Sequence, residues 1–473
     1  MSKIIKNTSF YTIGNILPQA AGFFLLPIYT NYLSPSDYGI ISSMQVLSSI
    51  LLIFLTLAID RSVYRMYFDY NTVELKKEYL GTITISLLLI SILVLFLIFI
   101  FKNSVEKIFI SVKFYPYYVF AILASFLSIL QIVPKIYFQV NEKAEKFVFI
   151  SLAQFLLNTT LALWFIINKN EGAAGMLKGE LLSNLLITPI AIFISYKTIK
   201  LSFKLKIFFE SIKFSIPLIP GLLSSFILNL SDRIFIERYF SLSEVGLYSL
   251  GYKIAGLIGV IGGSFLLAYG PVFYKYANSI NQTEAKSIIA KYNHIYIIIV
   301  ITISFLISFF SKEAIVILLN KKYGDSYKII PIISFTYIII QTTGLLNIMI
   351  YQSKKNIPLM LISIISAILS IGFNFLLIPH YGAFGAAFAT LISFIIVLIL
   401  TWRYAQICYY IPIKWREIVI LLSFFSTIFY IFEYVFTFGL INTIIVKSLF
   451  VLTLATVLTF KNLKQIKAFF INE

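Results

Sequence analysis

An all-α, polytopic membrane protein is predicted for this 473-residue chain. Its fourteen transmembrane helices should form two six-helix lobes related by a pseudo-two-fold axis along the membrane normal, followed by a C-terminal helical hairpin. Composition is the first observation behind this fold. The chain is 59% hydrophobic and 12% charged, and its apolar runs are long and recurrent, as membrane-spanning helices require. A β-barrel would need short alternating segments, which are missing. Internal repetition is the second. Leu33-Ser34-Pro35-Ser36-Asp37-Tyr38-Gly39-Ile40 returns 207 residues later as Phe240-Ser241-Leu242-Ser243-Glu244-Val245-Gly246-Leu247, and Gly172-Ala173-Ala174-Gly175 returns 210 residues later as Gly382-Ala383-Phe384-Gly385. Two motifs at nearly one offset mean two copies of one unit, a symmetry typical of transporters.

Taken in order, the spans fall near 9–32, 38–60, 79–101, 115–137, 147–168, 173–196, 213–239, 244–270, 292–310, 328–351, 357–378, 383–404, 417–437 and 440–460. The first run is too long for a signal peptide and contains two prolines, so it reads as a retained helix. Six helices per copy is an even number, so both copies point the same way. The N-lobe covers 1–200 and the C-lobe 201–405, joined through a basic linker at 197–213. Residues 406–473 hold helices 13 and 14 and a tail.

Basic residues set the direction. With the N-terminus inside, 25 of the 38 Lys and Arg fall in cytoplasmic segments, Lys135 among them, which places both termini in the cytoplasm. The same bias explains the net charge of +18 without nucleic acid, because the excess faces an anionic leaflet. Cys408 is the only cysteine and the two histidines are isolated, so neither a disulfide nor a metal or cofactor site is expected. Outer loops stay within about 12–15 residues, leaving no room for an external catalytic domain.

Charged and polar groups within spans should face a cavity or a partner. Asp232 lies ten residues before Leu242 and Lys253 eleven after it. Both therefore sit roughly 15 Å below the helix 7–8 turn, and the hairpin predicts a salt bridge between them. One reading makes the pair a burial device; in the other, Lys253 faces the cavity and meets an anionic headgroup. Arg233 precedes Glu237 by four residues and has local pairing as its alternative. Tyr252, beside Lys253, could stack on a sugar or serve as an interfacial belt residue. Helix 1 carries Asn15 and Gln19 on one face and is broken by Pro18 and Pro27. Its counterpart, helix 7, carries Pro217 and Pro220, and paired discontinuities point to substrate-lining helices. Gln154 with Asn158, and Asn374, read as interhelical glue or ligand contacts. Arg61 and Arg65 sit at the cytoplasmic entrance, as topology signals or as attractors of phosphate. Glu433 and Lys447 are expected to pair across the 13–14 hairpin, and Lys178 and Glu180 are weaker candidates.

Three stretches resemble the polysaccharide-export branch of the multidrug/oligosaccharidyl-lipid/polysaccharide exporter superfamily, closest to Wzx-type O-antigen and repeat-unit flippases. They are Tyr29-Thr30-Asn31-Tyr32-Leu33-Ser34-Pro35-Ser36-Asp37-Tyr38-Gly39; the segment from Ile216-Pro217-Leu218-Ile219-Pro220 through Ser231-Asp232-Arg233 to Val245-Gly246-Leu247-Tyr248-Ser249; and Phe373-Asn374-Phe375-Leu376-Leu377-Ile378-Pro379 with Tyr381-Gly382-Ala383-Phe384-Gly385. The likeness covers residues 1–404. It implies a central cavity with cationic lining and an undecaprenyl-diphosphate-linked oligosaccharide as substrate, carried across the bacterial inner membrane. Association with polysaccharide polymerase machinery would follow. Asp232 and Arg233 coincide with charged motif positions, and Lys253 is carried over as a cavity cation. Helix 1 departs from the pattern by having no charge. Lipid II flipping is the nearest alternative, and a drug/cation antiporter would want an acidic cavity and only twelve helices. A membrane enzyme would need catalytic clusters that the sequence does not show.

Overall fold

The computed structural model describes residues 14, 17–19, 21–353, 357–436 and 439–453. Those residues form helices joined by short turns, with no strand among them. Helix 1 is described as Leu26–Tyr32 and helix 2 as Pro35–Thr56. Helices 3 to 6 are Val73–Ile100, Phe114–Val140, Ala144–Ile167 and Gly172–Thr198. Helix 7, Leu205–Leu230, continues as Asp232–Tyr239; helix 8 is Leu242–Ala277, helix 9 Gln282–Phe309 and helix 10 Ile330–Gln352. The next helical run, Ile357–Cys408, has 52 residues. Straight, it would span about 78 Å, far more than a bilayer. It instead folds back at Gly382, with φ 54° and ψ −132°, and so supplies helices 11 and 12. A Cβ on Gly385 would lie 2.3 Å from the Leu377 carbonyl oxygen, a contact that only a reversed chain permits. Helix 13 is Trp415–Val435 and helix 14 is described as Leu440–Thr453. This arrangement is consistent with fourteen helices; the expected ends at 9–13 and 454–460 lie outside the described residues.

Local chemistry explains the turns. Ser34 caps helix 2 by accepting from the Asp37 amide at 3.0 Å, while Asp37 accepts from the Ser34 amide at 3.0 Å, and Pro35 fits the first turn. In the second copy Ser241 accepts from the Glu244 amide at 3.2 Å. Gly172 and Gly382 both adopt φ 54°, a positive φ that favours glycine at the same place in each motif. Each glycine motif also meets its own cap. Asp37 accepts from the Ala173 amide at 3.2 Å, and the Glu244 carboxylate lies 3.6 Å from where a Gly382 Cβ would stand.

The halves meet reciprocally at this capped end of the bundle. A Cβ on Gly39 would fall 1.8 Å from the Leu242 carbonyl oxygen, and one on Gly246 would fall 2.0 Å from that of Pro35. Leu242 is the repeat equivalent of Pro35, as Gly246 is of Gly39, so this is one contact made twice about a pseudo-two-fold axis. The Ser42 and Ser249 hydroxyls, also equivalent, stand 2.6 Å apart and straddle that axis. Gly39→Val should separate helices 2 and 8 and cost about 1–3 kcal/mol of stability, measured as a lower melting temperature of the purified protein. An unchanged melting temperature would mean that the contact does not persist in solution.

Apolar packing follows the repeat. One core, from Met44 to Phe226, fills the N-terminal half and takes in Ile207 and Phe226 of helix 7. A second, from Ile258 to Ile428, fills the C-terminal half and takes in helix 13. A smaller cluster joins Leu26 and Tyr38 to Ile236, Val245 and Ile333, and seals the capped end between halves. At the opposite, basic end, the stretch after helix 6 is strapped to helix 3. Lys200 and Lys204 both engage Glu78, and the Lys200 amide donates to the Lys77 carbonyl at 3.2 Å.

Several expectations change in three dimensions. Helix 2 stops at Thr56 rather than near 60, because Leu57 and Ala58 adopt left-handed φ of 45° and 57°. Lys135 does not stay at the surface: its Nζ donates to Gln154 Oε1 at 2.7 Å, and Gln154 donates on to Asn184 at 2.7 Å. Gln154 is thus glue between helices 4, 5 and 6. Glu433 and Lys447 do not pair with each other. Lys447 is buried against Glu313 at 2.8 Å and the Phe309 carbonyl at 2.7 Å, while Glu433 meets Lys312 at 3.1 Å. Matched depth along a hairpin does not fix azimuth, and the short helix Ser311–Leu318 offers both residues nearer partners. Lys178 and Glu180, two residues apart and so on different faces, stay separate, and Lys178 pairs with Glu171 at 3.0 Å.

Candidate functional site

Helix 7 is interrupted at Ser231, whose hydroxyl donates back to the Ile227 carbonyl at 2.7 Å and loosens the helical ladder. Asp232 then opens a new helical turn, where a carboxylate is electrostatically favoured. Both Asp232 and Arg233 are buried, with 2% and 5% exposure, so the partners of each decide whether the site is tenable. Asp232 Oδ1 accepts from Arg233 Nη1 at 2.8 Å and from the Arg233 amide at 2.9 Å. Its Oδ2 accepts from the Tyr248 hydroxyl at 2.5 Å, with Thr390 at 3.5 Å. Arg233 also donates to the Asn229 carbonyl at 2.8 Å and lies 4.5 Å from the Tyr252 ring centroid, a cation–π contact. Asn374 donates to Ser231 at 3.3 Å. Helices 7, 8, 11 and 12 therefore converge on one neutralised charge pair.

The predicted Asp232–Lys253 bridge does not form. Both oxygens of Asp232 are taken by nearer groups, and Lys253 has no carboxylate partner among the described residues. Equal spacing from a turn does not fix direction: Asp232 points into the C-terminal half, where Tyr248 and Thr390 meet it, whereas Lys253 is exposed. Its Nζ lies 3.9 Å from where a Cβ on Gly22 of helix 1 would stand. The local Arg233–Glu237 pair is also absent, since Glu237 accepts instead from the Ser111 amide at 2.5 Å.

Lys253 stands in a crevice of about 360 Å³ between the halves. Helices 7 and 8 contribute Leu230, Arg233, Ser249, Tyr252 and Lys253; helix 2 contributes Tyr38, Ser42, Gln45, Val46 and Ser49. The volume lies within the usual range for small-molecule sites. Among the described residues no carboxylate lines it. Arg233 is paired internally, so Lys253 supplies the uncompensated positive charge. Of the other expected residues, Gln19 is exposed on helix 1, and Asn15 lies outside the described residues. Arg61 and Arg65 are on the separate short helix Ile59–Met66, paired with Asp60 at 3.4 Å and Asp69 at 2.5 Å. The crevice does not include them. The helix 2 wall was missed in the sequence, although its signal is plain: Tyr38, Ser42, Gln45 and Ser49 recur at helical spacing along one face of an otherwise apolar span.

Two half-bundles related by a pseudo-two-fold axis, with a polar crevice on that axis, define the class: a multi-pass membrane protein with the fold of the MATE and MurJ transporters. The structure is similar to the lipid II flippase MurJ in an inward closed conformation, with a TM-score of 0.76 at 14% identity over 96% of this chain and 99% of that one. A Vibrio cholerae MATE transporter, VcmN, gives a TM-score of 0.59 at 12% identity over 86% of this chain and 96% of that one. The chain belongs to the polysaccharide biosynthesis protein family, whose sequence profile matches residues 4–277. Its relatives include capsular polysaccharide biosynthesis protein CapF of Staphylococcus aureus, 28% identical over 84% of this chain and 98% of that protein. Another is Lsg locus putative protein 1 of Haemophilus influenzae, 25% identical over 75% of this chain and 86% of that protein.

Proposed function

We propose that this protein is a flippase, not an enzyme, that carries an undecaprenyl-diphosphate-linked oligosaccharide repeat unit from the inner to the outer leaflet of a bacterial cytoplasmic membrane. The observation that supports this most directly is the polar crevice on the pseudo-two-fold axis, with Lys253 uncompensated in it. Membership of the polysaccharide biosynthesis family supplies the substrate class. In this reading both termini are cytoplasmic, 1–200 and 201–405 move as lobes, and the capped end faces outward. Lipid II is the second candidate substrate, favoured by the likeness to MurJ.

Sugar hydroxyls and a diphosphate cannot cross hydrocarbon unaided, since each desolvated polar group costs kilocalories. A hydrated crevice removes that cost for the headgroup while the prenyl chain stays in lipid. Two negative charges moving outward are driven by an inside-negative potential and gain roughly 4–5 kcal/mol per 100 mV. The membrane potential is therefore sufficient to drive net export, provided Lys253 does not travel with the headgroup. Proton or sodium exchange at Asp232 is disfavoured, because Arg233 and Tyr248 already occupy that carboxylate.

Alternating access requires the capped end to part. Ser42→Cys with Ser249→Cys, in a Cys408→Ser background, should form a disulfide on oxidation, because the native hydroxyls are 2.6 Å apart. In proteoliposomes the oxidised protein should move lipid-linked oligosaccharide at under a tenth of the reduced rate, with recovery on adding dithiothreitol. Full transport by the cross-linked protein would overturn the alternating-access flippase reading.

A further inference from the structure

The two walls of the crevice are equivalent by repeat and different in chemistry. Gln45 is the counterpart of Tyr252, and Val46 of Lys253, at the 207-residue offset that relates Ser42 to Ser249. Helix 8 thus presents a ring and a cation where helix 2 presents a neutral amide and an aliphatic group. Gln45 is exposed into the crevice, and its side-chain amide has no hydrogen-bond partner among the described residues. Ser49, one turn further on, spends its hydroxyl on the Gln45 carbonyl at 2.8 Å, so the Gln45 amide itself stays available to a ligand.

We propose that Gln45 is a glycan-specificity residue: its amide hydrogen-bonds hydroxyl groups of the uncharged sugars beyond the phosphate-linked one, while Lys253 on the facing wall holds the phosphate. An amide offers one acceptor and two donors, which suits a vicinal pair of sugar hydroxyls. A diphosphate, being acceptor-only, gains more from the ammonium opposite. The Tyr252 ring, already beneath Arg233 at 4.5 Å, closes the same side as Lys253. Charge and hydroxyl recognition are therefore segregated by wall, which orients the headgroup with its phosphates toward the C-terminal half. This inference rests on the flippase reading and adds to it the polarity of the bound headgroup and the residue that reads the sugar.

The test compares two fluorescent donors in proteoliposomes of the full-length protein: undecaprenyl diphosphate bearing one N-acetylhexosamine, and the same lipid bearing a neutral tetrasaccharide. Wild type should move the tetrasaccharide donor faster. In Gln45→Ala and Gln45→Met, the tetrasaccharide-to-monosaccharide rate ratio should fall about fivefold to tenfold, as expected for one or two lost hydrogen bonds. Lys253→Ala should slow both donors and leave the ratio within twofold of wild type. Unchanged ratios in both Gln45 variants, with both donors still transported, would overturn the assignment and leave the flippase reading standing. Wild type that moves neither donor would overturn both.

Discussion

Lys253→Ala should slow transport of the lipid-linked oligosaccharide by about 10- to 150-fold while leaving the protein folded and inserted. The magnitude is that of one charge-assisted contact, about 1.5–3 kcal/mol, converted at tenfold per 1.4 kcal/mol. Folding should survive because the ammonium has no ion-pair partner among the described residues and is exposed in the crevice, so its removal orphans nothing. Surface glycan in cells and initial rates in proteoliposomes both read this outcome. Lys253→Arg should retain a substantial part of the rate, since it keeps the charge. Normal export by Lys253→Ala would remove the residue from the mechanism.

Asp232→Ala should have the opposite signature, a loss of the folded protein. Arg233 would be left buried with no counter-charge, which costs about 3–5 kcal/mol. Thermal unfolding followed by size-exclusion chromatography should show a strongly lowered melting temperature for Asp232→Ala. The double variant Asp232→Ala with Arg233→Met should recover much of the loss, because the uncompensated charge is gone. A double variant no more stable than Asp232→Ala would show that the cost lies elsewhere, in the Tyr248 or Thr390 contacts. Together the two residues separate recognition from construction: one variant loses transport with its fold intact, the other loses the fold.

That separation was not legible in the sequence, although the position of each charge was. Spacing from the turn at Leu242 placed Asp232 and Lys253 at one depth, but depth is a single coordinate. Azimuth came from packing: Tyr248 of helix 8 and Thr390 of helix 12 meet Asp232 in the C-terminal half. Glu433 and Lys447 failed for the same reason, since Lys312 and Glu313 of the Ser311–Leu318 segment captured them. Gln154 was readable as glue, yet its partner Lys135 was counted as a surface cation. Gln45 is legible in the sequence only as part of the polar face Tyr38, Ser42, Gln45 and Ser49; that this face lines a crevice opposite Lys253 needed the structure.

The sequence by itself determined the membrane-spanning helices and the two-copy plan. Apolar length is a property of the chain, and a repeated Ser-cap, Gly39/Gly246 and Gly172/Gly382 leave their offset in the letters. Why Gly39 and Gly246 are there is a structural finding: a contact made twice about an axis needs small residues twice. Only the tertiary structure decided which charges are neutralised and which stay free. Pairing depends on distances between side chains from different helices, and in a low-dielectric interior the nearest competent partner wins.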